Sequence, residues 1–311
     1  MRVLVTGGAG FIGSNLVRRL LADGDSVAVI DDLSTGYRSN LDGLGIDFVE
    51  ASILDEDALG RAASDADAVV HLAALGSVPR SVKDPIASHH ANATGTLMVL
   101  EAARRKGAYV TGASSSSVYG SVLDLPRRED LPTRPMSPYA ASKLATESYI
   151  LAYGTSYGLP TLPFRFFNVY GPRQAAGHVY AAVIPVFIEA ALRGLPLPLN
   201  GDGLQSRDFT FVDTVTWVLA DAVHRKVTSD RPVNLAIGAN VTLLDLIAEL
   251  ESMLGRKLPI EMRPDRVGDV KASQSEPVLL RELFPGLPET RFEDGLRATM
   301  DWFLAEQGAG H

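Results

Sequence analysis

The stretch Arg2-Val-Leu-Val-Thr-Gly-Gly-Ala-Gly-Phe-Ile-Gly13 decides the fold. A short β-branched run enters a glycine-rich turn, and a helical pattern leaves it, from Gly13 to Ala22. Gly8, Gly10 and Gly13 satisfy G-x-G-x-x-G, and Gly7, Gly10 and Gly13 satisfy G-x-x-G-x-x-G. Glycine at these positions serves a tight turn, backbone approach to a pyrophosphate and close packing of helix on strand. The pyrophosphate then meets amides at the positive end of the helix. The glycine pattern alone is weak; strand, turn and helix in succession make it strong. Asp31 ends the second strand pattern, at about the 20-residue spacing where a carboxylate meets an adenosine ribose. It accepts hydrogen bonds there and repels a 2′-phosphate, so NAD is expected and NADP is not.

Outward from that turn, strand patterns lie at Val27 to Asp31, Ile46 to Glu50, Ala68 to Leu72, Tyr109 to Ala113 and Thr161 to Phe167. Helical patterns intervene, notably Pro85 to Lys106 and Pro138 to Ala152. Strands alternating with helices, several apolar on both faces, predict an α/β protein with a parallel sheet covered on both sides. The second half is less regular, with helices near Tyr180 to Leu192, Val212 to Arg225 and Leu243 to Leu254. Pro232 to Ile237 reads as one more strand, returning to the main sheet. The expected division is a cofactor domain over 1–164 and a substrate lobe over 165–311, with 211–238 rejoining the first.

The 311 residues suffice for a well-buried core, and 46% hydrophobic with 21% charged residues is a globular balance. A net charge of −8 argues against a general attraction to nucleic acid or anionic membrane. With no cysteine, disulfides, thiolate metal sites and thiol catalysis are excluded. No apolar run reaches the ~18 residues of a membrane span, and the first strand starts at Arg2, leaving no room for a leader. A cytoplasmic enzyme is expected. His89 and His90 are adjacent on a helix and cannot both face one ligand, so no metal is expected. His71 at a strand end reads as a packed residue, and Trp217 and Trp302 as core.

Ser137-Pro-Tyr-Ala-Ala-Ser-Lys143 puts Tyr139 and Lys143 four residues apart on one helix face. A neighbouring ammonium and a cationic nicotinamide would lower the phenol below its usual value of about 10. Tyr139 could then take a hydroxyl proton near neutrality. The fifth strand pattern ends in Gly112-Ala-Ser-Ser-Ser-Ser-Val-Tyr-Gly120. Its four hydroxyls are expected to face the crevice where such sheets bind ligands, with Ser115 bonding both the reacting hydroxyl and the tyrosine.

Together TGGAGFIG, the Asp31 strand end, HLAA at 71–74, SSSSVYG at 114–120, YAASK at 139–143 and FFNVYGPRQ at 166–174 resemble the extended short-chain dehydrogenase/reductase family. GDGLQSRDFTFVD (201–213) and RVGD (266–269) are similar to its nucleotide-sugar 4-epimerase branch. The resemblance implies a Rossmann-type doubly wound parallel sheet with a smaller, mixed α/β substrate-binding lobe, and a homodimer through a helix bundle. Tyr139 is then the base, Lys143 tunes it and holds the nicotinamide ribose, and Ser115 assists. The cofactor set comprises Gly7, Gly10, Phe11, Ile12, Gly13, Asp31, Ser34, Ile53, Leu72, Ala73, Ala74, Asn92 and Phe166 beside the catalytic pair. Asn168, Arg207, Arg266 and Asp269 would hold the UDP; Ser77, Ser115, Ser116, Ser117, Gln174, Val183 and Ser273 complete the substrate set. Arginine forks suit a diphosphate in an acidic protein. One departure is Ser52-Ile53 where many relatives carry Asp followed by an aliphatic residue, which puts the adenine contact in question.

Dehydratases and decarboxylases of the same scaffold carry acidic residues just before V-Y-G. Here Ser116 and Ser117 stand there, and neither serves readily as an acid or base near neutrality. Inversion at C4 needs only the tyrosine, a hydride acceptor and room for the 4-keto sugar to turn. The serine spelling is similar to that of UDP-glucuronate 4-epimerases, and UDP-glucuronate is the favoured sugar. AALGSVPRS (73–81), FFNVYGPRQ and the small Ser273 instead resemble epimerases of UDP-N-acetylhexosamines; a UDP-N-acetylglucosamine/UDP-glucose 4-epimerase is the alternative, followed by a UDP-glucuronate decarboxylase or a 4,6-dehydratase. A non-catalytic dinucleotide sensor would not need Tyr139, Lys143 and Ser115 together.

Overall fold

A computed structural model describes residues 1–177, 181–264 and 271–309, with side chains to 306. Its first half runs β1 (Arg2–Thr6), α1 (Phe11–Ala22), β2 (Ser26–Asp31), β3 (Asp47–Glu50), α2 (Glu56–Ala62) and β4 (Ala68–His71). Two short helices, α3 (Val78–Lys83) and α4 (Pro85–His89), precede α5 (Gly95–Lys106), β5 (Tyr109–Ser115), α6 (Pro138–Tyr157) and β6 (Thr161–Phe166). The second half opens with β7 (Asn168–Tyr170), α7 (Val183–Leu192), β8 (Leu197–Asn200), β9 (Ser206–Arg207), β10 (Phe209–Phe211) and α8 (Val212–Arg225). It closes with β11 (Val233–Leu235), β12 (Val241–Thr242), α9 (Leu243–Leu254), β13 (Ile260–Arg263), β14 (Ala272–Ser273), α10 (Val278–Leu283) and α11 (Phe292–Ala309).

Seven strands pair in parallel in the order β11-β6-β5-β4-β1-β2-β3. The two-residue alternation of a strand explains why both faces are covered. Val3 and Val5 of β1, with Val27 and Val29 of β2, meet Leu16, Val17 and Leu20 of α1 and Val215, Val218 and Leu219 of α8. Leu4, Ala28 and Ile30 point the other way, onto Leu59 of α2, Val99 and Leu100 of α5 and Ile150 of α6. Each large aliphatic side chain so buried contributes about 1.5–3 kcal/mol, so each layer is held to the sheet by its own core. This is a Rossmann-type doubly wound α/β fold. The strand order reverses between β1 and β4, and the crevice beyond their carboxyl ends is where such sheets bind ligands.

A third core joins Ile184, Phe187 and Ile188 of α7 to Phe209, Leu246, Ile247 and Leu296. Around it sit the small sheets β10-β7, β12-β9-β14 and β13-β8. The return strand is β11, paired with β6 by Val233↔Phe164, Asn234↔Arg165 and Leu235↔Phe166. Among the described residues no helix is long and apolar enough to cross a membrane.

Three elements differ from the sequence expectation. The single helix read from Pro85 to Lys106 is broken at His90–Thr94 by one widened turn between α4 and α5. There the Asn92 carbonyl accepts hydroxyl bonds from Thr96 (2.5 Å) and, from α6, Thr146 (3.1 Å), and such bonds compete with the helical ladder. Helix α6 runs on past Ala152 to Tyr157, stopping at Gly158, whose φ of 66° supplies the left-handed cap. Helix α7 starts at Val183, and the start expected at Tyr180 lies outside the described residues. Trp217 and Trp302, expected in the core, are only partly buried and pack at its margin.

Candidate active site

The glycine turn is built as its sequence demands. Gly7 has φ +71°, and a Cβ there would lie 2.7 Å from the Ala73 amide nitrogen. A Cβ on Gly13 would lie 2.2 Å from the Gly7 carbonyl oxygen. The turn therefore folds tightly against both α1 and the Leu72–Ala74 segment only when these positions have no side chain. Helix α1 begins at Gly10 with no side-chain cap on its first-turn amides. A cavity of about 520 Å³ starts at Gly7, Gly10, Phe11, Ile12 and Gly13 and runs past Ser34, Leu72 and Ala74 to Ser115, Tyr139, Lys143 and Phe166. A smaller one of about 110 Å³ continues it past Asp31, Ile53 and Ala73.

Asp31 is buried at the end of β2; its carboxylate accepts from the Ala9 amide (2.9 Å) and the Leu33 amide (2.9 Å). Burial pushes its pKa up, against the pull of those two amides, and Asp32 adds to the rise. Asp32 lines the same small cavity, a second carboxylate facing the ribose position that the sequence reading missed. A side-chain-free cradle, a helix start with no capping side chain and a carboxylate at the next strand end together fit NAD: amides for the diphosphate, carboxylate for the ribose. Ser34 lines both cavities, its hydroxyl donating to Asp32 at 2.5 Å. Ser52 lines the small cavity beside Ile53.

Tyr139 enters at the second position of α6 because Ser137 caps that helix, accepting from the Ala140 amide, and Pro138 fixes its first turn. The Ser81 hydroxyl accepts from the Tyr139 amide at 3.0 Å and fixes the entry from the α3 side. One turn on, Lys143 is 5% exposed and its Nζ donates to the Ala113 carbonyl at 2.8 Å. Burial pulls the Lys143 ammonium down to about 8. Burial also pushes the Tyr139 phenol above its usual value, while its hydrogen bond with Ser115 lowers it. The protein alone therefore does not produce the lowered phenol expected from the sequence, since Lys143 is turned to a carbonyl. The Ser115 hydroxyl also accepts from the Ser117 amide (3.2 Å) and hydroxyl (2.9 Å).

Not all four serines face the crevice. The Ser114 hydroxyl donates to Glu147 at 2.9 Å, and Glu147 pairs with Arg165 at 2.7 Å in a buried cluster behind β5. Strand alternation is the reason: Ser114 and Ser115 must point to opposite faces. After Ser115 the chain makes one tight helical turn, Ser116–Tyr119, which brings Ser116 and Ser117 to a cavity of about 420 Å³. Asn168, Arg207 and Ser273 line the same cavity. Arg207 and Ser273 are directly paired across β9 and β14, so their side chains share one face. A neighbouring cavity of about 380 Å³ is lined by Asn168, Gln174, Val183 and Arg207, with Phe187 and Phe209. Arg207 Nη1 donates to the Ser206 carbonyl at 2.8 Å. The Gln174 side-chain amide donates to the Val169 carbonyl, and its oxygen is buried without a partner among the described residues.

Two expected site residues do not line these cavities. Asn92 is fully buried; its amide oxygen accepts from the Leu75 amide (2.8 Å), and its nitrogen donates to the Leu75 carbonyl (3.3 Å) and Ser142 hydroxyl (2.9 Å). All its polar atoms are spent on shaping the segment behind the cofactor cavity. Ser77 caps α3, accepting from the Arg80 amide at 3.1 Å. Arg266 and Asp269 lie outside the described residues. His71 is a packed residue, bonded to Thr6 (2.8 Å) and Thr96 (3.0 Å), and burial with the Lys143 charge pulls its pKa to about 3. Among the described residues no cluster of three or more potential ligands could hold a metal.

Asp208 was also missed. It is fully buried and accepts from Gly238 N (3.1 Å), Ala239 N (3.1 Å), Ser275 N (2.9 Å) and the Ser275 hydroxyl (2.8 Å). It locks the chain leaving β11 and the chain leaving β14 onto the strand pair that carries Arg207. Its position inside SRDFTFVD was the only available signal.

Residues 3–238 match the model of the NAD dependent epimerase/dehydratase family. The chain is 39% identical over 310 residues to a UDP-glucose 4-epimerase of Mycolicibacterium smegmatis, covering 97% of this chain and 98% of that protein. Among solved structures, a UDP-N-acetylglucosamine 4-epimerase from Methanobrevibacter ruminantium M1 superposes with TM-score 0.93 at 36% identity, over 98% of each chain. A UDP-glucuronic acid 4-epimerase from Bacillus cereus, solved with UDP-glucuronic acid and NAD, superposes with TM-score 0.88 at 30% identity, over 98% of this chain and 100% of that one. The chain belongs to the NAD dependent epimerase/dehydratase family, as an NAD-dependent isomerase whose homologues include UDP-sugar 4-epimerases.

Proposed function

We propose that the enzyme inverts C4 of a UDP-hexose, and that its preferred pair is UDP-glucuronate and UDP-galacturonate. The observation that carries the sugar choice is the cavity lined by Ser116, Ser117, Ser137, Asn168, Arg207 and Ser273, in which none of the described lining residues is acidic. Hydroxyl and cationic donors without a carboxylate suit a C6 carboxylate, and the same wall lacks the acid and base that dehydration needs.

In this reading the residues around Gly7, Gly10, Gly13 and Asp31 hold NAD, which when bound supplies the hydride acceptor and donor at C4. Tyr139 takes the C4 hydroxyl proton, and returns a proton to the C4 oxygen after the 4-keto sugar has turned. Ser115 orients that oxygen by hydrogen bonding, and Lys143 holds the ribose and stabilises the phenolate. Arg207, with Arg266, Asp269 and Asn168, holds the diphosphate and uridine; Gln174 and Val183 close the cavity beside them. The division of labour follows 1–164 for cofactor and 165–311 for substrate, with 211–238 in the main sheet. The reading includes a homodimer, for which the exposed Tyr149 and Tyr157 of α6 offer apolar surface.

A second reading, UDP-N-acetylglucosamine, is favoured by the small side chains Ala272 and Ser273 in the same cavity, which leave space for an acyl group. The test is kcat/KM of the purified enzyme on UDP-glucuronate, UDP-glucose and UDP-N-acetylglucosamine. UDP-glucuronate is expected to lead, because unpaired donors penalise a neutral sugar by about 1–3 kcal/mol. A clear lead for UDP-N-acetylglucosamine or UDP-glucose sinks the uronate preference and leaves the C4 reaction standing.

A further inference from the structure

Arg127 lies in the segment between β5 and α6, outside every motif that marks the family resemblance. It is only 8% exposed, and one guanidinium nitrogen, Nη1, is buried with no hydrogen-bond partner among the described residues. Among the described residues no carboxylate pairs with it; its guanidinium lies 5.7 Å over the Tyr119 ring. The backbone around it is fixed. Its amide donates to the Gln274 carbonyl (2.7 Å), and its carbonyl accepts from the Glu276 amide (2.9 Å) and the Asn234 side chain (3.0 Å). Burial pulls the guanidinium below its ordinary pKa, with Tyr119 and Asp124 opposing weakly.

A buried cation with an unspent donor is costly unless an anion completes it. The Arg127 side chain lines the serine cavity together with Ser116, Ser117 and Ser273, with Nη1 itself covered by protein just behind the wall. Arg207 lines both this cavity and the adjoining one, where the diphosphate is assigned, whereas Arg127 lines only the serine cavity. Resting on the uronate reading above, we propose that Arg127 is the specificity-determining cation that receives the sugar carboxylate, with Ser116 and Ser117 as neutral donors beside it. A guanidinium gives a carboxylate two parallel donors; a hydroxymethyl group cannot take both.

The test measures equilibrium binding of UDP-glucuronate and UDP-glucose to the NAD-loaded enzyme by calorimetry, in a Tyr139→Phe background that stops turnover. The readout is the ratio of the two Kd values, because a merely structural loss weakens both ligands together through the UDP and ring contacts they share, and Ser116 and Ser117 stay in place in both variants. Arg127→Met is expected to cut the preference for the acid by at least about tenfold. Arg127→Lys, which keeps the charge and loses the fork, is expected to retain part of it and carries the test if the methionine variant does not fold. An unchanged ratio in the folded variants overturns the assignment of Arg127. The substrate reading is judged separately, by turnover of the unaltered enzyme: UDP-glucose ahead of UDP-glucuronate there overturns it. If that happens while the binding ratio still collapses in the Arg127 variants, the carboxylate contact stands without the preference.

Discussion

Lys143 illustrates how a single side chain is paid for in stability. Its ammonium is buried and pulled down from 10.5 to about 8 by that burial. A lysine whose folded pKa is lowered releases its proton more readily when folded. Its penalty on stability is therefore full below about pH 8, shrinks between about 8 and 10.5, and is gone above. At pH 7 the penalty is roughly 3 kcal/mol, from the size of that shift. Lys143→Met is thus expected to raise the melting temperature of the NAD-free protein at pH 7, with the gain fading by pH 10, while turnover is lost. A lower melting temperature at pH 7 would mean that the bond to Ala113 outweighs the buried charge. The phenol of Tyr139 is held high by the same kind of burial, and its bond with Ser115 pulls the other way.

At the scale of elements, the glycine turn sets how closely β1, α1 and β4 approach. Alanine at Gly13 would put a Cβ 2.2 Å from the Gly7 carbonyl oxygen and 2.7 Å from the Gly8 Cα. Both neighbours are backbone, so relief requires the turn itself to open. Gly13→Ala is expected to destabilise the protein by about 1–3 kcal/mol and to strip it of co-purifying NAD. Released nucleotide and the melting temperature check this; full NAD content with unchanged melting would show that the turn has slack. The break between α4 and α5 belongs to the same scale. It swings the Asn92 side chain onto Leu75 and Ser142, and so supports from behind the segment that closes on the glycine turn.

At the scale of the whole molecule, Asp208 ties β11 of the main sheet and the chain after β14 to the strand pair bearing Arg207. Four donors converge on one buried carboxylate. Each buried donor left without a partner costs about 1–3 kcal/mol, so Asp208→Ala is expected to cost at least about 3 kcal/mol in urea unfolding. It should also raise KM for UDP-sugars, because Arg207 and Ser273 lose their fixed register. Loss of stability with an unchanged KM would show that the small sheet holds its register unaided.

The parallel sheet, the glycine turn, Asp31 and the Tyr139–Lys143 spacing are legible in the order of the amino acids. Each rests on a local rule: strand periodicity, φ > 0 at a turn, or four residues per helical turn. Only the tertiary structure decided what distant segments do to one another. Asn92 spends both polar atoms of its side chain on partners 17 and 50 residues away, and no local pattern announces that. Ser114 turns from the crevice to Glu147 and Arg165 because the layer behind β5 offers a buried ion pair. Arg127 reaches the serine cavity because its backbone bonds to the chain around Gln274 and Glu276, a long-range pairing that hydrogen bonding fixes and sequence spacing cannot encode.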